Sequence, residues 1–278
     1  MCFAGRNLFL PRSVEFSMEN AMQTEQNSIW YEADGFTLHV QDRIYYTQCG
    51  ADGAMSLFEL LKKTTDISTE DFRRRGMSMD FLREHGFGRV VSRSSFRIRR
   101  MPRRDERIEI VTAEEKPEAL SIVQGYEFFG EGGEPLISGE SAWTLIEPLS
   151  RRIIPARSFS LRTANTQRKV HDCLPRAILA RPAELLPLAR RTIGAACLDG
   201  NGHADNAWYA VFVQDALPAE YAARTPCDIR INYSKELLLG DELELSAAFG
   251  QQDGAERVTV IGTKAGELSF ECELYFKD

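Results

Sequence analysis

The stretch Asp199-Gly200-Asn201-Gly202-His203-Ala204-Asp205-Asn206 sets a carboxylate, an amide and an imidazole on alternate positions within five residues. A carboxylate can take a proton, an amide can orient a carbonyl or a water, and an imidazole titrates near neutral pH. Gly200 and Gly202 let the backbone bend sharply and let a substrate approach without a Cβ in the way. The run Ala207-Trp208-Tyr209-Ala210-Val211-Phe212-Val213 follows at once and is apolar nearly all round, which predicts a helix buried on most sides. The N-terminus of such a helix offers free backbone N–H groups and the positive end of its dipole, a natural setting for a developing oxyanion. The bland alternative is a turn with a helix cap, since Asp-Gly-Asn-Gly turns well and Asp205 or Asn206 caps well. A calcium loop does not fit: His203 and Ala204 fill its fifth and sixth positions, and Ala210 stands where the closing glutamate belongs.

The elements that must position this bend show period-two alternation. Cys227, Ile229, Ile231 and Tyr233 point one way, with Asp228, Arg230 and Asn232 opposite; Leu268 to Phe276 alternates likewise. With Glu242–Phe249 and Arg257–Gly262 between them, and glycines at the turns, these strands predict an antiparallel meander around the buried helix. The first half repeats the order. A strand is expected over Arg43–Gln48, then the loop Cys49-Gly50-Ala51-Asp52-Gly53, then a helix from Met55 to Asp66. Strands follow near Val90–Arg99, Arg107–Thr112, Ser121–Phe129 and Ile137–Ile146. Laying Cys49 over Cys197 and Asp105 over Asp241 puts Ala51, Gly53, Met55 and Arg100 in place of Asp199, Asn201, His203 and residue 236. The first copy thus reads as stripped of chemistry. The expected organisation is an N-terminal extension (1–33), a first domain (34–157), a linker (158–187) with short helices over Leu174–Ala180 and Pro182–Leu188, and a second domain (188–278).

Bulk properties narrow the class. A net charge of −7 over 278 residues argues against a generic nucleic-acid binder. Six dispersed cysteines without a C-x-x-C suit reduced thiols and a cytoplasmic location, and four scattered histidines show no zinc pattern. No apolar run reaches membrane-span length. There is no Gly-x-Ser-x-Gly elbow and no Ser-His-Asp arrangement.

On these residues the chain resembles the acyl-acyl-carrier-protein (acyl-ACP) thioesterases. The family's Asp-x-Asn-x-His bend stands here as Asp199, Asn201 and His203, followed by Ala204-Asp205-Asn206. Its second signature matches Asn232-Tyr233-Ser234-Lys235-Glu236-Leu237. Phe96-Arg97-Ile98, and Ala142-Trp143-Thr144-Leu145-Ile146 followed by Ser150-Arg151-Arg152, extend the match. Two positions depart: Leu237 replaces a cysteine, so a thiol nucleophile there is unavailable, and Asp205 replaces an asparagine. The resemblance implies an α+β tandem (double) hotdog, each half an antiparallel sheet wrapped around a central helix. It implies hydrolysis of acyl-ACP thioesters to free fatty acid and carrier, with Glu236 and Asp199 activating or orienting water and Asn201 and His203 positioning water and carbonyl. No metal or redox cofactor is implied. The expected partner is an acidic acyl carrier protein with its phosphopantetheine-linked acyl chain; nucleic acid and membrane spans are not expected, and a homodimer is allowed. The first half is expected to form the acyl pocket around Met55, Phe58 and Leu61, and carrier docking is expected at Arg73, Arg74, Arg75 and Arg100. The rivals are a hotdog thioesterase for coenzyme A thioesters and a non-catalytic acyl-binding protein.

Overall fold

The computed structural model describes residues 28–277; the apolar Leu8-Phe9-Leu10 piece of the extension lies outside them. In chain order the elements are β1 (Ile29–Tyr31), β2 (Thr37–Arg43), α1 (Leu57–Arg74), α2 (Met79–Glu84), β3 (Gly88–Ile98), β4 (Arg107–Glu114), β5 (Ser121–Gly130), β6 (Pro135–Ile146), β7 (Ile153–Ile154), β8 (Leu186–Thr192), α3 (Trp208–Ala216), α4 (Ala219–Ala222), β9 (Asp228–Tyr233), β10 (Glu242–Gln252), β11 (Ala255–Lys264) and β12 (Glu267–Phe276).

All twelve strands form one sheet in the order β1-β2-β4-β5-β6-β3-β9-β12-β11-β10-β8, with β7 beside β6. The path reads the same from either end once β1 is set aside: β2-β4-β5-β6-β3 meets β9-β12-β11-β10-β8. The halves join through the antiparallel pair β3–β9, where Phe96 faces Ile229 and Arg93 faces Asn232. This is a tandem hotdog. Its inward-facing strand residues, such as Ile110, Phe128, Ile231 and Leu274, pack on α1 and α3 in a single core spanning both halves. The two helices touch where the Phe58 ring meets Trp208 edge-on, 5.4 Å between centroids.

α1 begins where Ser56 Oγ accepts the Glu59 N–H (3.2 Å). It runs on to Arg74, past the expected end at Asp66, because Thr64, Ser68, Asp71 and Phe72 continue its buried stripe. Three of those four are polar, so hydropathy alone hides them. No helix among the described residues is long and apolar enough to cross a membrane.

Several expectations are corrected. Residues 29–31, assigned to the extension, form β1, with Trp30 opposite His39. The strand expected over Arg43–Gln48 lies earlier, at Thr37–Arg43, while Tyr46–Gln48 is a short 3-10 turn. The crossover between the halves has neither expected helix. Pro175, Pro182 and Pro187 remove N–H donors, and the crossover's carbonyls serve the sheet instead. Leu174 O accepts from Ser95 Oγ, Pro175 O from Arg230 (3.2 Å) and Ala177 O from Asn232 (2.9 Å). Leu186–Thr192, of which Leu186–Leu188 were expected to end a helix, is an edge strand on β10.

Candidate active site

Asp199 organises its own bend. Its Oδ1 accepts from the N–H of Asn201 (2.8 Å) and of His203 (3.1 Å), and its Oδ2 accepts from Asn201 Nδ2 (3.3 Å). The Asp199 N–H donates to His203 O (2.7 Å) and the Gly202 N–H to Asp199 O (3.0 Å). Gly202 closes the bend at φ +81°, where a Cβ would be strained. The amide of Asn206 ties the bend to α1, its Oδ1 accepting from Thr65 Oγ1 (3.1 Å). Just before α3, Asp205 Oδ1 accepts from the Ala207 N–H (2.8 Å) and Asp205 O from the Trp208 N–H (3.0 Å), and burial raises the pKa of this carboxyl.

The connection from β9 to β10 closes over the bend. The Ala204 N–H donates to Leu237 O (2.8 Å), and His203 and Leu238 form an antiparallel bridge. This pairing carries the residue before Leu237 across the bend, so His203 Nε2 lies 2.9 Å from Glu236 Oε2. Leu237 itself is fully buried. The other Glu236 oxygen meets the guanidinium of Arg151, which comes from the turn between β6 and β7 in the first half. That turn is built by Glu147, whose side chain accepts from the N–H groups of Leu149 (3.3 Å) and Ser150 (2.6 Å). Arg83 of α2, also in the first half, reaches Asn201 Oδ1 at 3.4 Å. Partial burial and the Arg151 charge hold the His203 imidazole below its ordinary pKa, outweighing Asp199.

Asp199, Asn201, His203 and Glu236 therefore come together in one place, with His203 and Glu236 half-exposed. Arg151 and Arg83 were missed. Nothing in the local spacing points to them; the Ser150-Arg151-Arg152 match was the only available signal. Among the described residues no group of His, Cys, Asp and Glu is placed to hold a metal.

The equivalent bend in the first half shifts the expected register by one. Gly50 N–H donates to Ala54 O (2.9 Å), Met55 N–H to Pro102 O (2.8 Å) and Asp105 N–H to Ile44 O (2.8 Å). These bonds repeat Asp199 to His203 O, Ala204 to Leu237 O (2.8 Å) and Gly240 to Ile193 O (2.9 Å). Gly53 (φ +75°) repeats Gly202. Gly50, Asp52, Ala54 and Met101 therefore replace Asp199, Asn201, His203 and Glu236, not Ala51, Gly53, Met55 and Arg100.

Of the expected pocket residues, Met55 (2 % exposed) and Leu61 (1 %) are closed inside the core, and Phe58 sits at the α1–α3 contact. Of the expected docking residues, Arg75 points inward. It pairs with buried Asp71 (2.6 Å) and Glu114 (2.9 Å), which makes it a structural group rather than a docking one. Arg73 and Arg74 share Glu70, and Arg100 is held by Glu106 and Glu134.

The acyl-ACP thioesterase N-terminal domain matches residues 39–157, and the C-terminal domain of the same family matches residues 192–278. Among solved structures, the chain is similar to an oleoyl thioesterase from Lactobacillus plantarum (TM-score 0.75, 20% identity, 90% of this chain and 96% of that one). It is similar to an acyl-ACP thioesterase from Bacteroides thetaiotaomicron (0.73, 18%, 89% and 100%). It is also similar to the 12:0-ACP thioesterase from Umbellularia californica (0.74, 14%, 87% and 94%). A search of curated protein sequences finds no match.

Proposed function

This chain belongs to the acyl-ACP thioesterase family and hydrolyses acyl-ACP thioesters, and from that premise we propose that Glu236 and His203 are the proton-handling pair. Both Asp199 oxygens are committed to its own bend. Glu236 instead faces His203 at the half-exposed mouth of the bend, and the 2.9 Å approach of His203 Nε2 is the observation that carries this reading. Asp199 shapes the bend and orients the Asn201 amide. Arg151 fixes the Glu236 carboxylate from the other side.

The reaction runs as follows in this reading. A water lying against the Glu236–His203 pair loses a proton to it as its oxygen bonds to the thioester carbon. The carbonyl electrons move onto oxygen, and side-chain donors from Asn201 and His203 hold the charge beside the N-terminus of α3. The tetrahedral centre collapses, the C–S bond breaks, and the proton passes to the departing thiolate of the carrier's arm. The products are the free acid and the thiol.

The carrier is taken to be acidic, which suits the exposed guanidiniums of Arg73, Arg74 and Arg100. Each already faces carboxylates of this chain, so docking there exchanges one carboxylate for another and gains little. Parallel assays of His203→Ala and Glu236→Gln on acyl-ACP test the pair. Loss of turnover in both supports it, and full turnover in either ends it. A matched acyl-coenzyme A assay separates the carrier reading from its coenzyme A rival.

A further inference from the structure

A cavity of about 570 Å³ lies between the outer face of the sheet, at the β3–β9 seam, and the crossover. Its volume is ordinary for a small-molecule site. Its polar lining includes Thr144, Asn232 and Ser234, and Ile153 lies on its wall. One end is therefore fixed beside the site: Ser234 is two residues from Glu236, and Ile153 is two residues from Arg151.

The charges along the cavity are unequally matched. Arg176 is paired with Glu118 (3.0 Å) and Glu140 (2.9 Å), and Arg181 with Glu271 (3.0 Å). Arg93 also lines the cavity, but its guanidinium has no hydrogen-bond or ion-pair partner among the described residues. It stands opposite Asn232 in the β3–β9 ladder, four residues before Glu236 along the neighbouring strand and its extension. At full extension four residues span at most about 14 Å, and here the chain bends, the N–H groups of Ser234 and Lys235 both donating to Ser269 O. A ligand filling the cavity thus meets an uncompensated guanidinium at one point, polar side chains along its length, and Ser234 and Ile153, each two residues from a member of the Glu236–Arg151 pair.

We propose that this cavity takes the phosphopantetheine arm of the substrate, with the phosphodiester on Arg93, the two amides along the polar lining and the thioester delivered to Glu236. The inference rests on the thioesterase reading above and adds to it the path of the arm. From phosphorus to sulfur the arm spans about as far as four to five extended residues, roughly 15 Å by ordinary bond lengths. That is long enough to reach from Arg93 to Glu236. A guanidinium that is only partly exposed and lacks a carboxylate is the group expected to bind a phosphodiester by charge-assisted hydrogen bonds.

The test uses one acyl group on three thiols: acyl carrier protein, coenzyme A and N-acetylcysteamine. The first two carry the phosphorylated arm; the third keeps the thioester and one amide but has no phosphate. Arg93→Ala is expected to raise KM about tenfold for the carrier and coenzyme A substrates, the scale of one lost charge-assisted hydrogen bond. It is expected to leave kcat/KM for the N-acetylcysteamine substrate within about twofold, which also reports that the variant is folded. Arg93→Lys is expected to recover part of the loss. Equal loss on all three substrates in both variants, or no loss on any, overturns the proposal. An effect confined to the carrier substrate also overturns it, because Arg93 then meets the carrier's surface rather than the arm. Wild-type protein inactive on every thioester would instead remove the thioesterase reading itself.

Discussion

The two bends, Gly50–Ala54 and Asp199–His203, share one backbone design and differ in what it carries. Each closes on a glycine with positive φ, each docks its following residue on a carbonyl of the strand connection, and each leads into the central helix of its half. The first retains Asp52, whose Oδ1 accepts from the Ala54 N–H (3.0 Å), as a turn-forming group. The second replaces glycine by Asp199, alanine by His203 and buried Met101 by Glu236. The fold therefore supplies a geometry twice, and chemistry requires side chains that only one copy has. The first half is still not idle: Arg151 and Arg83 cross to the second bend and meet Glu236 and Asn201.

The contrast can be broken most severely at the second bend. His203→Ala and Asp199→Ala are each expected to lower kcat on acyl-ACP by roughly two to four orders of magnitude, read by thiol release. Arg151→Ala comes next, at about 10- to 100-fold in kcat, the scale for losing a group that orients a reacting one. Its pH profile gives a second readout. The Arg151 charge disfavours the His203 imidazolium, so removing it moves the acid limb of kcat/KM to higher pH, and Arg151→Lys moves it back. An unmoved limb with full turnover would leave the first half out of the site.

Scaffold and site can be separated at His171, in the crossover. Burial disfavours its imidazolium, but Glu115 (2.5 Å) and Glu127 (2.8 Å) more than offset this and raise its pKa to about 9. Because the folded pKa lies above the unfolded one, this contribution to stability is complete below about pH 6.5 and is lost as pH rises through about 9. Denaturation midpoints across that window are expected to fall in the wild type and to stay flatter in His171→Asn. The smallest expected effect is at the first bend: Asp52→Asn keeps the acceptor and is expected to leave kcat within about twofold. A large loss there would mean that the first bend still takes part in the reaction.

Much of this was legible in the chain. Alternation from Ile229 to Tyr233 and from Leu268 to Phe276 gave strands and faces, and the polar bend before an all-apolar helix gave the site's centre. The register of the duplication was off by one residue at both bends, because matching Cys49 to Cys197 and Asp105 to Asp241 rests on side-chain identity. The ladder is instead set by backbone bonds such as Met55 to Pro102 and Ala204 to Leu237. β8 was hidden because Pro187 and exposed residues suit a sheet edge, where one side of the ladder is unpaired. Arg75 and Arg151 show a common limit. Sequence gives their charge, but only the fold decides that one turns inward to Asp71 and the other reaches Glu236 in the opposite half.

The account turns on Glu236 acting with His203 across the bend. The most direct measurement is kcat of purified Glu236→Gln on acyl-ACP, with the thermal midpoint recorded alongside. The account predicts a loss of at least about 100-fold with the midpoint nearly unchanged. Wild-type turnover from a folded Glu236→Gln protein would contradict it.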